Sequence, residues 1–368
     1  MGITTNGKEM GKNYMFGFSR WKRNYVRDFF DEETKLLFCR NLADALRRGL
    51  SPECKICIWG KKAYPEVENY AARHSVPLYR VEDGFLRSVS LGSDLTRPFS
   101  LVIDSRGIYF DPTQESDLEH ILSEYDFDEG LLKRAKSVRE YLRANRLSKY
   151  NCYQECEIDL RGKRANQEVV LVPGQVEDDA SILYGGEGMS NLELLRRTRQ
   201  EKPEAYIVFK PHPDVLAGNR QGAVSKQEAL EFCDQIVEEA SLDSVLDRCD
   251  SVHTITSLVG FEALLRGKEV TTYGMPFYAG WGLTTDRRFC ERRRRSLTLD
   301  ALAAAVYILY PRYIDPRTGK ACEIEETLEG IEVLRTRYNN DRIYRTFVDL
   351  RNGVMRKIQL GIKVVAGE

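Results

Sequence analysis

Apolar and polar positions alternate along this chain in two rhythms. Short apolar runs at 14–18, 55–59 and 76–80 have the length and bounding turn residues of strands. Between them, residues 33–49 place apolar side chains at helical spacing and stop on Gly49, and residues 64–74 predict a second helix. Runs at 101–104 and 108–111 around Ser105-Arg106-Gly107 predict a hairpin, and residues 115–150 predict helix with a polar outer face. A second series starts near Glu168, with strands expected at 169–172, 206–210, 251–256 and 269–273 and helices at 188–200, 227–238 and 257–266. Strand–helix–strand order repeated in this way implies parallel sheets. The expected architecture is α/β: a loose tail over 1–13, Rossmann-like domains over 14–165 and 166–325 facing across a cleft, and a helical segment over 326–368 packing back on the protein. For that last segment an amphipathic helix on a membrane surface is the alternative.

With 368 residues, 42% hydrophobic and 30% charged, the chain has material for two cores. Its net charge of −1 creates no demand for nucleic acid. Charge is uneven, however. Residues 292–295 are four arginines and the C-terminal segment is rich in Lys and Arg, which predicts either a solvated face or attraction to an anionic membrane or acceptor. No apolar run reaches the roughly 18 residues of a membrane span, and the polar start predicts no export signal. The expected location is cytoplasmic, with peripheral contact at the inner membrane as the alternative. Nine cysteines then read as reduced, buried thiols. Strand alternation would send Cys54 and Cys57 to opposite faces, which argues against a zinc or redox role.

The chemistry gathers at predicted strand ends. The run 169–172 stops at Pro173-Gly174 and is followed by Gln175 and then Glu177-Asp178-Asp179, three carboxylates at a point where open α/β sheets collect ligands. A solvated acidic turn capping a helix is the plain reading. In Phe209-Lys210-Pro211-His212-Pro213-Asp214, a strand delivers Lys210 and His212 to the sheet rim, a cation and an imidazole suited to a phosphate; a capped turn with a satisfied histidine is the alternative. At Thr256-Ser257 a helix begins, so the N–H groups of Ser257, Leu258 and Val259 form an anion site. Glu262 lies about one turn further on, placed either to meet ribose hydroxyls or as a surface acid. The loop from Tyr273 to Asp286 interleaves Gly and Pro with Phe277, Tyr278 and Trp281 and reads as a stacking wall or as packing. Glu82-Asp83 beside Arg87 supplies carboxylates to the first half, so acids stand on both sides of the expected cleft, as glycosyl chemistry requires. Asp126-Phe127-Asp128 has no strand before it and reads as a solvated face, and the glycines around 185–188 lack a nucleotide-loop order.

Taken in order, several blocks resemble the KpsC-type capsule polysaccharide β-Kdo transferases. They are Arg80-Val81-Glu82-Asp83-Gly84-Phe85-Leu86-Arg87-Ser88, Leu147-Ser148-Lys149-Tyr150-Asn151, Val172-Pro173-Gly174-Gln175-Val176-Glu177-Asp178-Asp179-Ala180-Ser181, His212-Pro213-Asp214-Val215, Thr256-Ser257-Leu258-Val259-Gly260-Phe261-Glu262 and Tyr278-Ala279-Gly280-Trp281-Gly282. Gly17-Phe18-Ser19-Arg20-Trp21-Lys22-Arg23 and the form of the acidic loop are most similar to the C-terminal, 2→7-forming module of that family, and the chain length is expected to hold one module. The resemblance implies a GT-B-like fold with an acceptor-side first domain and a CMP-sugar-binding second domain. It implies the donor CMP-β-Kdo, no metal or other cofactor, and retention through a Kdo–aspartate adduct. On this sequence the implied nucleophile is Asp179 and the implied acid/base is Glu82. His212, Lys210 and Ser257 with Leu258 would hold the CMP phosphate, Glu262 the ribose, and Gln175 is a further donor-side candidate. Arg87, Arg97, Lys149, Tyr278 and Trp281 are candidates for the Kdo carboxylate or the acceptor. The implied partner is a poly-Kdo glycolipid on a phosphatidylglycerol-type lipid, with contact to capsule assembly proteins. An inverting CMP-sugar transferase, a 2→4 linkage and a non-catalytic glycan- or nucleotide-binding module are the alternatives.

Overall fold

The computed structural model describes residues 11–87, 97–147, 158–218, 220–346, 348 and 350–351. The chain divides into two compact units: among the described residues, one is formed up to Ile108 and from Pro311 onward, the other from Tyr109 to Tyr310.

The first unit is built on strands β1 (Lys12–Phe16), β2 (Lys35–Phe38), β3 (Lys55–Trp59), β4 (Leu78–Asp83) and β5 (Ser100–Asp104). Strands β2, β1, β3 and β4 are parallel neighbours, and β5 joins β4 antiparallel. Both faces are covered, so β1 carries side chains into two cores. Tyr14 and Phe16 pack with Cys54, Ile56, Ile58 and Val67, whereas Met15 packs with Cys57, Trp59, Val81 and Leu101. Cys54 and Cys57 therefore lie on opposite faces, as the alternation required.

The second unit follows with β6 (Val169–Pro173), β7 (Tyr206–Lys210), β8 (Gln235–Ile236), β9 (Ser251–Thr254), β10 (Glu269–Thr272) and β11 (Thr285–Asp286). These form one parallel sheet in the order β11-β10-β9-β6-β7-β8. Every residue of β6 is buried, as a central parallel strand between helix layers demands. The order reverses between β6 and β9, so these neighbours send their following loops to opposite sides and leave a crevice at their carboxyl ends.

Several elements differ from the sequence expectation. Residues 33–49 split into β2 and a short helix, Leu42–Arg47, because Asn41 caps a new start through its side chain. Residues 108–111 form no strand; β5 pairs instead with β12 (Pro311–Ile314), which pairs with β13 (Ala321–Cys322). These strands come from the far end of the sequence, beyond the reach of any local pattern. The segment 227–238 breaks into the helix Lys226–Leu230 and β8. The terminal helix Ile324–Asn340 buries Ile324, Leu328 and Ile331, and Gly330 lets it approach Pro316 closely. No helix among the described residues is long and apolar enough to cross a membrane.

The helices Asp117–Glu124 and Glu129–Ala144, placed by the sequence reading in the first domain, belong to the second unit. The second helix is held there by its buried Ala135, Val138 and Leu142 and by Arg139, paired with Asp300 at 2.9 Å; the first is held by the arginine run. Glu119, 3% exposed, accepts from Nε of Arg292 at 2.5 Å and of Arg293 at 3.0 Å. Arg293, itself buried, also donates to the carbonyls of Pro276 and Ala279 at 2.5 and 2.9 Å, and Arg295 reaches the carbonyl of Tyr125 at 2.7 Å. Arg293 is thus an internal staple and Arg292 and Arg295 are tied to neighbouring helix and loop atoms, whereas Arg294 keeps the exposure of a solvated face. Asp128, in turn, caps the helix Glu129–Ala144 through Leu131 N–H, and Asp126 is exposed, so the acidic triplet does local work.

Removing one partner of a buried, hydrogen-bonded ion pair strands the other charge. Arg293→Met is expected to cost about 3–5 kcal/mol in a urea titration, and an unchanged midpoint would show the staple to be dispensable. A second prediction concerns His253, which is 1% exposed with Nδ1 3.1 Å from the Tyr273 hydroxyl. Burial lowers its pKa to about 4, against the opposing pull of Glu201 and Glu168. The unfolded chain takes up this proton near pH 6.5 while the folded chain resists it down to about 4. Stability from this residue is thus present above pH 6.5 and lost on acidification at about 1.4 kcal/mol per pH unit. His253→Asn should flatten the acid side of the melting-temperature profile over that window, and an identical acid slope would refute this.

Candidate active site

At the switch point of the second unit, the loop after β6 lies against the ends of β7 and β9. Gly174 donates to the Lys210 carbonyl at 2.8 Å, and a Cβ on Gly174 would fall 3.0 Å from Pro211 Cα and 3.1 Å from His212 N. Glycine is what permits that approach. Gln175 is 6% exposed and bridges toward β9. Its Oε1 accepts from Thr254 Oγ1 at 3.1 Å, Ile255 N at 3.2 Å and Thr256 N at 3.1 Å, and its Nε2 donates to Thr256 Oγ1 at 3.1 Å. Asn191, 1% exposed, fixes the backbone of the same loop. It accepts from Gln175 N at 2.8 Å and donates to the carbonyls of Gln175 and Gly222 at 2.8 and 2.9 Å.

The three acids of the loop have three fates. Glu177 accepts from Asn191 N at 2.7 Å, a structural tie. Asp178 takes both oxygens to Arg220 Nε at 3.1 Å. Asp179 caps the helix Ala180–Gly185 through one oxygen among the described residues: Oδ1 accepts from Ser181 N at 3.0 Å and from Ser181 Oγ at 2.8 Å. Glu177 and Asp178 are tied into the loop, whereas Asp179, exposed and capping a helix, fits the plain reading of a solvated capping acid.

His212 stands at the end of β7. Its Nδ1 accepts from Asp214 N at 3.1 Å, which leaves Nε2 to carry the ring proton in the neutral form. Partial burial lowers its pKa, while Asp214 and then Asp179 pull the other way. Lys210 is also lowered by burial and donates to the Ala240 carbonyl at 2.6 Å. Ser257 caps the helix Leu258–Leu265 through Val259 N–H, so Leu258 opens that helix as expected. Glu262 is 6% exposed, not a surface acid, and it raises the pKa of Tyr307, which burial raises first.

The loop aromatics are corrected. Tyr278 and Trp281 are fully buried. The Tyr278 hydroxyl donates to the Ser257 carbonyl and occupies the space a Cβ on Gly260 would need. Trp281 Nε1 donates to the Phe277 carbonyl at 2.8 Å, and Arg293 lies over its ring. Tyr278 is scaffold under the Ser257 helix and Trp281 a core residue of its own loop; neither has the exposure an acceptor contact needs.

In the first unit, Glu82 and Asp83 close β4. Glu82 Oε1 accepts from Asp83 N at 3.0 Å, and Asp83 pairs with Arg87 at 2.7 Å. Lys22 sits 3.3 Å from the Trp59 ring centroid. Burial drives its pKa down to about 8, with Glu82 and Asp83 opposing. Arg97 pairs with Asp28 at 2.6 Å and reaches the Gly319 carbonyl at 3.4 Å. Arg87 and Arg97 are therefore engaged by acids of their own unit. Lys149 lies outside the described residues. The sequence reading passed over Lys22, Asn191 and Thr254: a lysine stacked on a tryptophan and an asparagine buried under a loop leave no periodic signal.

Gln175→Leu would orphan two buried N–H groups, at about 1–3 kcal/mol each. A drop of that size in unfolding free energy is expected by denaturant titration; a change below about 0.5 kcal/mol, the scatter of neutral surface changes, would show that other groups hold the crevice.

The sequence profile of a family described as "Capsule polysaccharide biosynthesis protein" matches residues 54–313. Among characterised relatives, the chain is 42% identical over 361 residues to "Capsule polysaccharide modification protein LipA" of Neisseria meningitidis serogroup A, covering 97% of this chain and 51% of LipA. It is 42% identical over 325 residues to "Lipopolysaccharide-processing protein LpsZ" of Rhizobium meliloti, covering 86% and 73%. The chain thus spans about half the length of LipA. Among solved structures it is similar to Thermosulfurimonas dismutans KpsC, beta Kdo 2,7 transferase, at TM-score 0.73 and 38% identity over 88% of this chain and 99% of that one. The KpsC beta Kdo 2,4 transferase matches at TM-score 0.74 and 32% identity over 88% and 98%. The fold class is accordingly α/β and GT-B-like.

Proposed function

This chain belongs to the capsule polysaccharide biosynthesis protein family, and we propose that it is a retaining β-Kdo transferase. In this reading it takes Kdo from CMP-β-Kdo and extends a poly-Kdo linker on a phosphatidylglycerol-type lipid. The observation that carries the proposal is the carboxylate of Asp179 at the switch point, with Oδ1 held by Ser181 and the neutral imidazole of His212 near enough to feel its charge. Kdo has no hydroxyl on the ring carbon beside its anomeric centre, so no neighbouring hydroxyl of the sugar can act as an internal nucleophile. An enzyme carboxylate supplies the missing nucleophile.

The other roles follow from chemistry. His212 Nε2–H, the Ser257 hydroxyl and the N–H of Leu258 are donors for the CMP phosphate, helped by Lys210; the N–H groups of Ser257 and Val259 are spent on Thr254 and on the Ser257 cap. Glu262 serves the ribose, and Gln175 holds the crevice in shape. Glu82 is the acid/base group. Lys149 is the remaining candidate for the Kdo carboxylate, since Arg87 and Arg97 are already paired. No step requires a metal. The linkage proposed is 2→7, favoured by 38% identity against 32%; the nearly equal TM-scores of 0.73 and 0.74 keep 2→4 as the second reading.

Incubation with CMP-Kdo and a Kdo-terminated acceptor should yield a β-linked product by NMR, which also reports the linkage. Asp179→Asn should lower transfer by more than about 10³-fold while calorimetric CMP binding persists. A fully active Asp179→Ala enzyme would sink the mechanism, an inverted product would make Asp179 a base, and CMP binding without CMP release would indicate a binding module.

A further inference from the structure

A directed chain of hydrogen bonds ends on Asp179. Oε1 of Gln175 is fully committed as an acceptor, to Thr254 Oγ1 and to the N–H groups of Ile255 and Thr256. The amide orientation is therefore fixed, and Nε2 must donate; it does so to Thr256 Oγ1 at 3.1 Å. Thr256 Oγ1 passes its own proton to Ser181 Oγ at 3.4 Å, and Ser181 Oγ donates to Asp179 Oδ1 at 2.8 Å. Ser181 N–H adds a second bond to the same oxygen at 3.0 Å. Each hydroxyl accepts from one side and donates to the other, an arrangement in which each link polarises the next. The hydrogen-bond chain and the Ser181 N–H both end on Oδ1.

We propose that Ser181, oriented through Thr256 by Gln175, is a positioning residue that makes Asp179 Oδ2 the attacking atom and Asp179 a good leaving group in the second half of the reaction. The inference rests on the double displacement proposed above. In the first half, the Oδ2–C2 bond to Kdo forms as the C2–O bond to the CMP phosphate breaks, and that electron pair leaves with CMP. Oδ1 becomes the ester carbonyl oxygen. In the second half, an acceptor hydroxyl forms its bond to C2, its proton goes to the general base, and the C2–Oδ2 pair returns to the carboxylate. Negative charge then reappears on Asp179, shared with Oδ1, where the Ser181 donors already point. These donors stabilise the carboxylate, so they slightly restrain attack and strongly assist departure. Removing them shifts the balance between the half-reactions, which loss of packing alone would not do.

The test is rapid chemical quench with intact-mass analysis of the full chain mixed with CMP-Kdo and a Kdo-terminated acceptor. Ser181→Ala is expected to release one equivalent of CMP in a burst and then stall, with adduct breakdown slowed about 10- to 100-fold, as expected for losing a hydrogen bond to a charged group. The Kdo adduct on Asp179 should become the dominant enzyme species. Ser181→Thr, which keeps the hydroxyl, should restore breakdown, and Thr256→Val, one link further back, should slow it by about threefold, a fraction of the same interaction. Calorimetric CMP binding equal to wild type establishes that each variant retains its site. Equal adduct occupancy in Ser181→Ala and wild type overturns the proposal, as does a Ser181→Ala enzyme that binds CMP but shows neither burst nor adduct. A wild-type enzyme that never carries the adduct while Asp179→Asn transfers normally removes the double displacement itself, a different result from either.

Discussion

Where the order of a parallel sheet reverses, two adjacent strands end side by side and their loops depart in opposite directions. Their last backbone N–H groups face a gap that neither loop fills, and buried N–H groups need partners. In the second unit that need is met by one amide. Gln175 takes the N–H groups of Ile255 and Thr256 and the hydroxyl of Thr254 on its oxygen. Because Asn191 clamps the Gln175 backbone from the other side, the loop after β6 and the turn after β9 form one rigid edge. Asp179, Ser181 and Ser257 inherit their positions from it. A site of this kind is held by backbone satisfaction before any ligand arrives.

Cations are used in a way that their distribution in the sequence conceals. The run 292–295 looks like a basic patch, yet Arg293 is buried and saturated by Glu119 and two carbonyls. Arg87 and Arg97 answer Asp83 and Asp28. The fork geometry of guanidinium suits several acceptors at once, which is why arginines here stitch loops and helices together. Lysines behave differently. Lys22 and Lys210 are each lowered by burial, so their charge responds to what is placed beside them.

Much of the site was legible along the chain, because its parts sit at strand ends and strand ends are marked by composition. The acidic loop follows an apolar run broken by Pro173-Gly174, His212 follows β7 and Ser257 follows β9 after Ile255 and Thr256. What misled was exposure. Tyr278 and Trp281 have the composition of a stacking wall, but only three-dimensional packing puts them at zero exposure. Glu262 erred the other way, because spacing along a helix assigns a face without saying that the face is covered.

The sequence by itself determined two α/β series, the positions of most strands and the residues that end them, since hydrophobic periodicity and turn chemistry act over a few neighbours. Tertiary structure decided everything that depends on distant partners. It returned residues 311–314 and 321–322 to the first sheet and tied the helices at 117–144 to the second unit through Glu119 and Arg139. It also gave three consecutive acids three different sets of donors. That last division rests on Asn191, Arg220 and Ser181, partners 2 to 42 positions away. A carboxylate's role is set by which donors reach it, and that is a property of the folded chain.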